Sequence, residues 1–319
     1  MNINLSLVIV NYNTSEFIKL CLDSIISFTN GLIYEVIVVD NNSSDRDIDK
    51  LPDIYRNVKF FFLNTNNGFG SGCNYGATKA NGKYVVFINP DVIFTNNALF
   101  QLYQFMENNP QAGLSSCSFS NDSGNLTYTF NKFPGIYWEI IQNVTVGKFY
   151  VRKLMKKLRR YDELNIPFEV DWLYGACMFT RLNLFKEIGG FDETMFLYNE
   201  DVDLQYRIKK IGFKIFCIPY IHVIHFVNSS VKSFNGKIIS DFHYHRSKMI
   251  YFYKHKNSIS RNIIRLINIF SIFFRILYLP FNSKYKNLRK ARFAQYIIAL
   301  KLYSYGKKSL LKSKLLIKT

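Results

Sequence analysis

The chain has no acidic residue after Asp241: from Phe242 to Thr319 there are 18 Lys and Arg and neither Asp nor Glu. Taking those 18 from the 41 basic residues of the whole chain leaves 23, against 23 acidic residues, in positions 1–241. The body of the protein is therefore neutral, and the net charge of +18 belongs to its last quarter. This asymmetry predicts two parts, a globular domain over 1–241 and a basic, apolar tail over 242–319. A CxxC pair is also missing. The cysteines Cys21, Cys73, Cys117, Cys177 and Cys217 are odd in number and widely spaced, which excludes a zinc or disulfide framework and fits a reducing cytosol. The first apolar run, Leu5–Val10, lacks a basic lead and has the length of a buried strand, so no signal peptide is expected. There is no internal repeat, no low-complexity linker, and no GK[ST] of a Walker loop. Hydrophobic residues, by contrast, make up 48% of the 319 positions and aromatics 17%, which supplies a sizeable core and excludes global disorder.

Over the first third, apolar runs alternate with helical patterns. Strands are predicted at Leu5–Val10, Glu35–Asp40, Val58–Leu63 and Lys83–Asn89, with helices at Ser15–Phe28, Ser71–Ala80 and Asn96–Asn108. Strands separated by helices imply right-handed crossovers and a parallel, doubly wound sheet, whose ligands bind beyond the carboxyl ends of the strands. Polar residues collect there: Asn11 and Asn13, then Asp40 to Asp45, Asn64 to Gly68, and Asn89 to Asp91. Residues 113–131 read as shorter strand-like pieces, and Phe149–Tyr161 as a basic amphipathic helix.

Four segments carry chemistry. VVDNNSSD (Val38–Asp45) ends a strand with Asp40 and Asn41, a pattern that suits the N–H donor and carbonyl acceptors of a pyrimidine base, and equally an ordinary Asx turn. NNGFGSGCNYG (Asn66–Gly76) sets Asn67, Gly68 and Asn74 in a glycine run that lets backbone N–H groups approach a phosphate or ribose. INPDV places Asp91 past the fourth strand, where one carboxylate with diphosphate oxygens and water would suffice for Mg²⁺ or Mn²⁺. In GGFDETMFLYNEDVDLQYR (Gly189–Arg207), Glu200, Asp201 and Asp203 begin a helix predicted over Glu200–Lys210, after Asn199 and before Gly212. Clustered carboxylates beside an apolar approach raise one another's pKa, which suits a proton acceptor; acidic residues at a helix start are also common without any function.

Together and in order, VIVNYN, VVDNNSSD, NNGFGSGCNYG, INPDV, WLYGACMFTR, GGFDE and FLYNEDVDLQYR resemble the inverting glycosyltransferases of family 2, over about residues 4–235 and closest to the bacterial rhamnosyltransferase and galactofuranosyltransferase-like branch. The resemblance implies a GT-A fold: a doubly wound, mostly parallel α/β sheet with a Rossmann-like nucleotide-binding half and an acceptor-binding half, followed here by a helical, basic C-terminal tail. It implies that Asp91 is a metal ligand, that Asp40 contacts the nucleotide base, and that Glu200 and Asp201 supply the general base, with Asp201 first and Glu200 and Asp203 orienting it or the acceptor. A family histidine some twenty residues after the base has two candidates in IPYIHVIHFVNSS, His222 and His225, and the pattern favours His225. Asn11, Asn13, Asn41, Asn67, Gly68, Asn74 and Asn89 are the other expected nucleotide-sugar contacts, and Trp172, Tyr174, Gly175 and Tyr198 are expected to shape the pockets. Where the family commonly has two Asn before Tyr75, this chain has Cys73 and Asn74. The expected activity moves rhamnose or another hexose from a dTDP- or UDP-sugar to a lipid-linked glycan of a cell-surface polysaccharide.

In the tail, Ile263–Phe281 is apolar but contains Arg265 and Arg275, which argue against a span. At about 100° per residue, Arg261, Arg265, Asn268 and Arg275 share an arc of roughly 80°, opposite Ile, Leu and Phe. That pattern predicts a helix lying on an anionic membrane with the basic arc toward the head groups, on the cytoplasmic face of a bacterial plasma membrane; docking on the protein body is the alternative. His243, His245 and His255 read as surface residues. A nucleic-acid-binding protein would explain the tail but not the acidic cluster, so no nucleic-acid partner is expected. A nucleotidyltransferase fits the spacing from Asp91 to the acidic cluster poorly.

Overall fold

A computed structural model describes residues 3–127, 129–143, 147–226, 234–282 and 288–313. Of the basic tail, positions 283–287 and 314–319 lie outside the described residues, as do Val227, Asn228, Ser229 and Ser230 of the histidine segment. In chain order the elements begin β1 (Leu5–Asn11), α1 (Ser15–Phe28), β2 (Tyr34–Asp40), α2 (Leu51–Ile54), β3 (Val58–Phe62), α3 (Phe69–Lys79), β4 (Tyr84–Ile88), β5 (Val92–Phe94), α4 (Ala98–Asn108), β6 (Ala112–Ser120) and β7 (Phe130–Asn131). They continue with α5 (Ile136–Asn143), α6 (Gly147–Glu163), β8 (Phe168–Val170), β9 (Trp172–Leu173), β10 (Cys177–Arg181), α7 (Leu182–Glu187), α8 (Glu200–Lys210) and β11 (Lys214–His225). Four helices follow: α9 (Phe234–His255), α10 (Ser258–Tyr278), α11 (Arg289–Ser304) and α12 (Lys307–Lys312). The chain divides into two units, one of Met1–Lys132, Arg152–Glu193 and Asp201–Ser230, the other of Phe133–Val151, Thr194–Glu200 and Val231–Thr319.

The first unit is built on a sheet of order β3-β2-β1-β4-β10-β6-β11-β5, with β8 against β11. The strands β1 to β4, β6 and β11 run in one direction, while β5, β8 and β10 run against it, so the mostly parallel sheet expected of a doubly wound fold is what forms. Leu5, Leu7 and Ile9 of β1 pack into one core layer and Val8 and Val10 into the other, because successive side chains point to opposite faces and helices cover both. Helix α3 lies close on this sheet. A Cβ on Gly76 would come within 2.4 Å of Val8 Cγ1, so that glycine serves helix-to-strand packing.

Residues 113–131, expected as short pieces, contain instead the nine-residue strand β6 inside the sheet. Ser115, Ser116 and Ser118 are fully buried in it. Their small polar side chains break the apolar run that would have marked a central strand.

The second unit is helical. Within it α10 packs against α5 and α11, and α9 against α11 and α12. The long helix α9 mixes aromatic, charged and small residues without a clean period, which is why the helical tail expected from 242 onward had no bounds predicted for this helix. Two corrections concern this unit. His245 is part-buried, its Nδ1 2.9 Å from Tyr303 Oη, and desolvation pushes its pKa down to about 3; His243, also part-buried, stacks on Phe196 at 4.4 Å and is pushed down to about 4. The middle of the α10 arc that was expected to meet head groups is turned into the unit, while Arg275 stays exposed. Asn268 is buried and donates to Glu139 Oε2 at 2.8 Å, and Arg265 Nε donates to the Tyr303 carbonyl at 2.6 Å. A partner 129 residues away decides this orientation, and no local pattern reports it.

Candidate active site

The chemistry-bearing residues of the first unit collect where β1, β2, β4 and β11 end and the antiparallel β10 begins. Asn11 stands opposite Asp40 in the β1–β2 register. Asn11 Nδ2 donates to Asp40 Oδ1 at 2.7 Å, Ser43 Oγ to the same oxygen at 2.6 Å, and the Ser43 N–H to Asp40 Oδ2 at 2.9 Å. Three neutral donors thus hold a buried carboxylate, a burial that would be costly without them. Asn13, in the left-handed region at φ 56°, accepts from the N–H groups of Ser44 and Asp45 and fixes the loop beyond. Ser43 links the two loops, since its Oγ also accepts from the Asn13 N–H at 2.8 Å, and the sequence reading gave it no role.

The asparagines around the glycine segment make hydrogen bonds within the protein. Asn41 Nδ2 donates to the Gly68 carbonyl at 3.0 Å, which ties the start of α3 to the end of β2. Asn67 is exposed, and its amide donates to Thr65 Oγ1 at 3.1 Å. Asn74 is engaged by the GGFDE turn. Its amide donates to the Phe191 carbonyl and to Glu193 Oε1, each at 2.9 Å, and accepts from the Phe191 N–H at 2.8 Å. Asn74 and Glu193 therefore fasten α3 to the GGFDE turn.

Asp91 follows β4, and the register of β11 with β5 sets His225 opposite Val92, next to it. His225 Nε2 lies 3.3 Å from Asp91 Oδ1, and both side chains are largely buried. His222 points elsewhere and pairs with Asp162 of α6 at 3.0 Å, so of the two candidates only His225 meets Asp91. A carboxylate oxygen and an imidazole nitrogen converging on one point are donors suited to Mg²⁺ or Mn²⁺. Among the described residues no cluster of three or more His, Cys, Asp or Glu forms. The pair therefore fits a cation completed by diphosphate oxygens and water rather than a closed protein cage.

Helix α8 starts with Glu200 and carries Asp201 on its first turn. The Val202 N–H donates to Asp201 Oδ1 at 2.8 Å and the Gly175 N–H to Oδ2 at 3.1 Å. Burial pushes the Asp201 carboxyl up to about 6, and these backbone donors only partly offset it. A Cβ on Gly175 would lie 3.2 Å from both Asp201 Cβ and Oδ2, a fit so close that Asp201 would have to shift by a few tenths of an ångström to admit it. The neighbour of Gly175, Ala176, accepts from the Asn89 N–H at 2.8 Å, so the turn bearing Asp91 and the Asp201 carboxylate attach to one two-residue link.

Asp203 is tied to its own helix and to the GGFDE turn through Arg207. Its Oδ2 accepts from Arg207 Nε at 2.8 Å, and the same guanidinium donates to the carbonyls of Ile188 and Gly190, both at 2.7 Å. Glu200 is buried. Trp172 pairs through β9 with β7 and donates Nε1–H to the Lys132 carbonyl at 2.8 Å, so its polar edge is engaged inside the protein. The sequence reading missed Gln205. Fully buried, it accepts from the Leu173 N–H at 2.7 Å and donates to the carbonyls of Leu173 and Asp201 at 2.8 and 3.0 Å. Its position one turn after Asp201 was the available signal.

Against known proteins, the family described as Glycosyl transferase family 2 matches residues 6–205. A rhamnosyltransferase of Escherichia coli is 26% identical over 83% of this chain and 98% of its own length. An N-acetylglucosaminyl-diphospho-decaprenol L-rhamnosyltransferase of Mycobacterium tuberculosis is 27% identical over 69% of this chain and 75% of its own. Among solved structures, a mannosyltransferase of Pyrobaculum calidifontis in complex with GDP-Man and Mn²⁺ aligns with a TM-score of 0.59 at 15% identity, over 96% of this chain and 88% of that one. GalNAc-T7 with UDP, GalNAc and Mn²⁺ aligns with a TM-score of 0.60 at 15% identity over 94% of this chain, which spans 56% of that structure. These two likenesses give the GT-A fold.

Proposed function

The chain belongs to glycosyl transferase family 2, and on that premise we propose that it is an inverting, metal-dependent hexosyltransferase. In this reading it moves rhamnose or another hexose from a dTDP- or UDP-sugar to a hydroxyl of a lipid-linked precursor of a cell-surface polysaccharide. The observation that carries the proposal is Asp201, a half-buried carboxylate fixed by two backbone donors on the unit that holds the Asp91–His225 pair, and raised by desolvation to about 6.

Asp201 is the general base. Val202 and Gly175 occupy one lone pair on each of its oxygens, and a remaining lone pair takes the proton of the acceptor hydroxyl as that oxygen attacks the anomeric carbon. A raised pKa makes the carboxylate a stronger base while leaving it mostly ionised at neutral pH. Attack opposite the leaving group inverts the configuration in one step. Asp91 and His225 would hold a divalent cation, which when bound neutralises charge on the departing diphosphate. Asn11, Asp40 and Ser43 shape the base end of the donor site, and Glu200 precedes Asp201 at the start of α8. Two supports favour rhamnose and a lipid carrier: the names of the two relatives, and a basic C-terminal region suited to the cytoplasmic face of an anionic membrane.

The test is to incubate the protein with dTDP-rhamnose and a panel of UDP-sugars, with Mn²⁺ and with chelator, and identify the released nucleotide. Release of dTDP or UDP only with the cation is expected. Release of pyrophosphate would make the protein a nucleotidyltransferase, and no turnover of any nucleotide sugar would overturn the reading.

A further inference from the structure

Helix α10, extended by the turn Leu279–Phe281, is the one helix among the described residues long and apolar enough to cross a membrane, yet only 22% of its apolar window is buried. A core helix would have most of that window buried, so the apolar surface lacks a protein cover among the described residues. Which edge faces outward is settled by hydrogen bonds within the helical unit. Asn268 is buried on Glu139, Arg265 is bonded to Tyr303, and Arg275 donates to Asn143 Oδ1 at 3.3 Å. Rotating the helix would strip Glu139 of a donor inside the unit. The opposite edge presents Ile259, Leu266, Phe270, Phe273, Phe274 and, beyond the helix, Phe281, the four Phe being 59%, 52%, 65% and 79% exposed.

We propose that this apolar edge is a membrane-insertion surface that lies in the boundary between head groups and acyl chains of an anionic bilayer. The inference rests on the membrane attachment proposed above and reverses its expected geometry, since the hydrocarbon edge meets the lipid while the polar edge holds the helix to the protein. Three observations favour lipid over other covers. The positions flanking the ridge, Ser260, Asn262, Ile267, Ile269 and Ile276, carry no charge, whereas a paired helix sets its partner and register with charges there. The ridge is rich in aromatics, which suits an interfacial helix. Finally, every charged side chain after Asp241 is basic, and Arg289 Nη2 donates to the Pro280 carbonyl at 2.6 Å, placing an exposed guanidinium beside Phe281 at the end of the ridge. That combination of hydrocarbon edge and cationic rim matches acyl chains beneath anionic head groups.

Flotation of the full chain with vesicles of phosphatidylcholine alone, or mixed with phosphatidylglycerol, at low and high salt tests the proposal. Binding that survives high salt is expected, with a drop of about tenfold or more in partitioning for the double variant Phe270→Ser, Phe274→Ser. Arg289→Gln is expected to reduce only the preference for phosphatidylglycerol. As both phenylalanines are exposed, the circular dichroism spectrum and soluble donor hydrolysis should not change. In a Phe270→Trp variant, quenching by brominated acyl chains is expected on vesicle addition. Binding abolished by salt, untouched by the Phe changes and without quenching would overturn insertion while leaving membrane attachment in place. No binding to either vesicle would overturn both. A dimer dissolved by the double variant would mean that a second copy covers the ridge.

Discussion

The two units bury polar groups in opposite ways. In the sheet unit, Asp40 and Asp201 are held by neutral donors, and no cation is bonded to either among their hydrogen bonds described above. In the helical unit, Lys248 Nζ donates to Glu139 Oε2 at 2.6 Å with both side chains almost wholly buried. Burial alone would lower the Lys248 pKa, but the Glu139 charge and hydrogen bond outweigh it and hold the ammonium well above its usual range. A neutrally held carboxylate keeps basicity available to a substrate. A carboxylate neutralised by an internal lysine is structural: it joins α5, α9 and α10 and fixes which edge of α10 is inside.

The sharpest way to break this comparison is to neutralise one carboxylate of each kind. Asp201→Asn is expected to lower the rate of transfer about 10²–10⁴-fold, the range of a lost general base, with donor affinity unchanged by calorimetry. Near-parental turnover would remove Asp201 from the chemistry. In the helical unit, Lys248→Met leaves Glu139 charged and buried without its cation, and urea denaturation should show a loss of about 3–5 kcal/mol. Adding Glu139→Leu should restore much of it, and failure to do so would mean that the pair is not what the helices depend on.

A smaller effect follows from the Asp201 pKa of about 6. The rate should fall as pH drops through about 6, because the base is protonated. Stability runs the other way. With the folded pKa above the unfolded one, the contribution of Asp201 is fully present below the unfolded value of about 3.9 and is lost as pH rises through 6. Asp201→Asn should therefore be more stable than the parent at pH 7, by up to about 3 kcal/mol, with the gap closing toward pH 4. A constant gap across that range would contradict the raised pKa. The smallest change expected comes from Gln205→Leu, which strands the Leu173 N–H and carbonyl at a cost of about 1–3 kcal/mol. A lower kcat with KM unchanged would mark Gln205 as positioning Asp201; loss of stability alone would make it purely structural.

Much of the sheet unit was legible because its signals are local. The run Leu5–Val10, the helix Ser15–Phe28 and the helix Glu200–Lys210 follow from apolar period and flanking polar residues, and each forms within a residue of where it was expected. Asp40, Asp91 and Asp201 stand at strand and helix ends, where side chains bearing chemistry collect in such sheets. Partners were not legible. Asn74 reads as a ligand contact by composition, but its amide is engaged by Phe191 and Glu193, which the chain brings back more than a hundred residues later. His222 and His225 lie three residues apart in one apolar strand, and only the register of β11 against β5 separates them.

By itself the sequence determined the alternation of strands and helices, the carboxylates at their ends, the neutral body with its basic tail, and the two faces of α10. Those properties are periodic or compositional, and each residue carries its share of them. Only the tertiary structure decided which carboxylates meet neutral donors and which meet a cation, and which face of α10 looks inward. Amphipathicity measures the contrast between two faces, and the choice between them depends on what waits inside. Here that is Glu139, a buried acid that needs Lys248 and Asn268, so the polar edge turns in and the hydrocarbon edge is left outside.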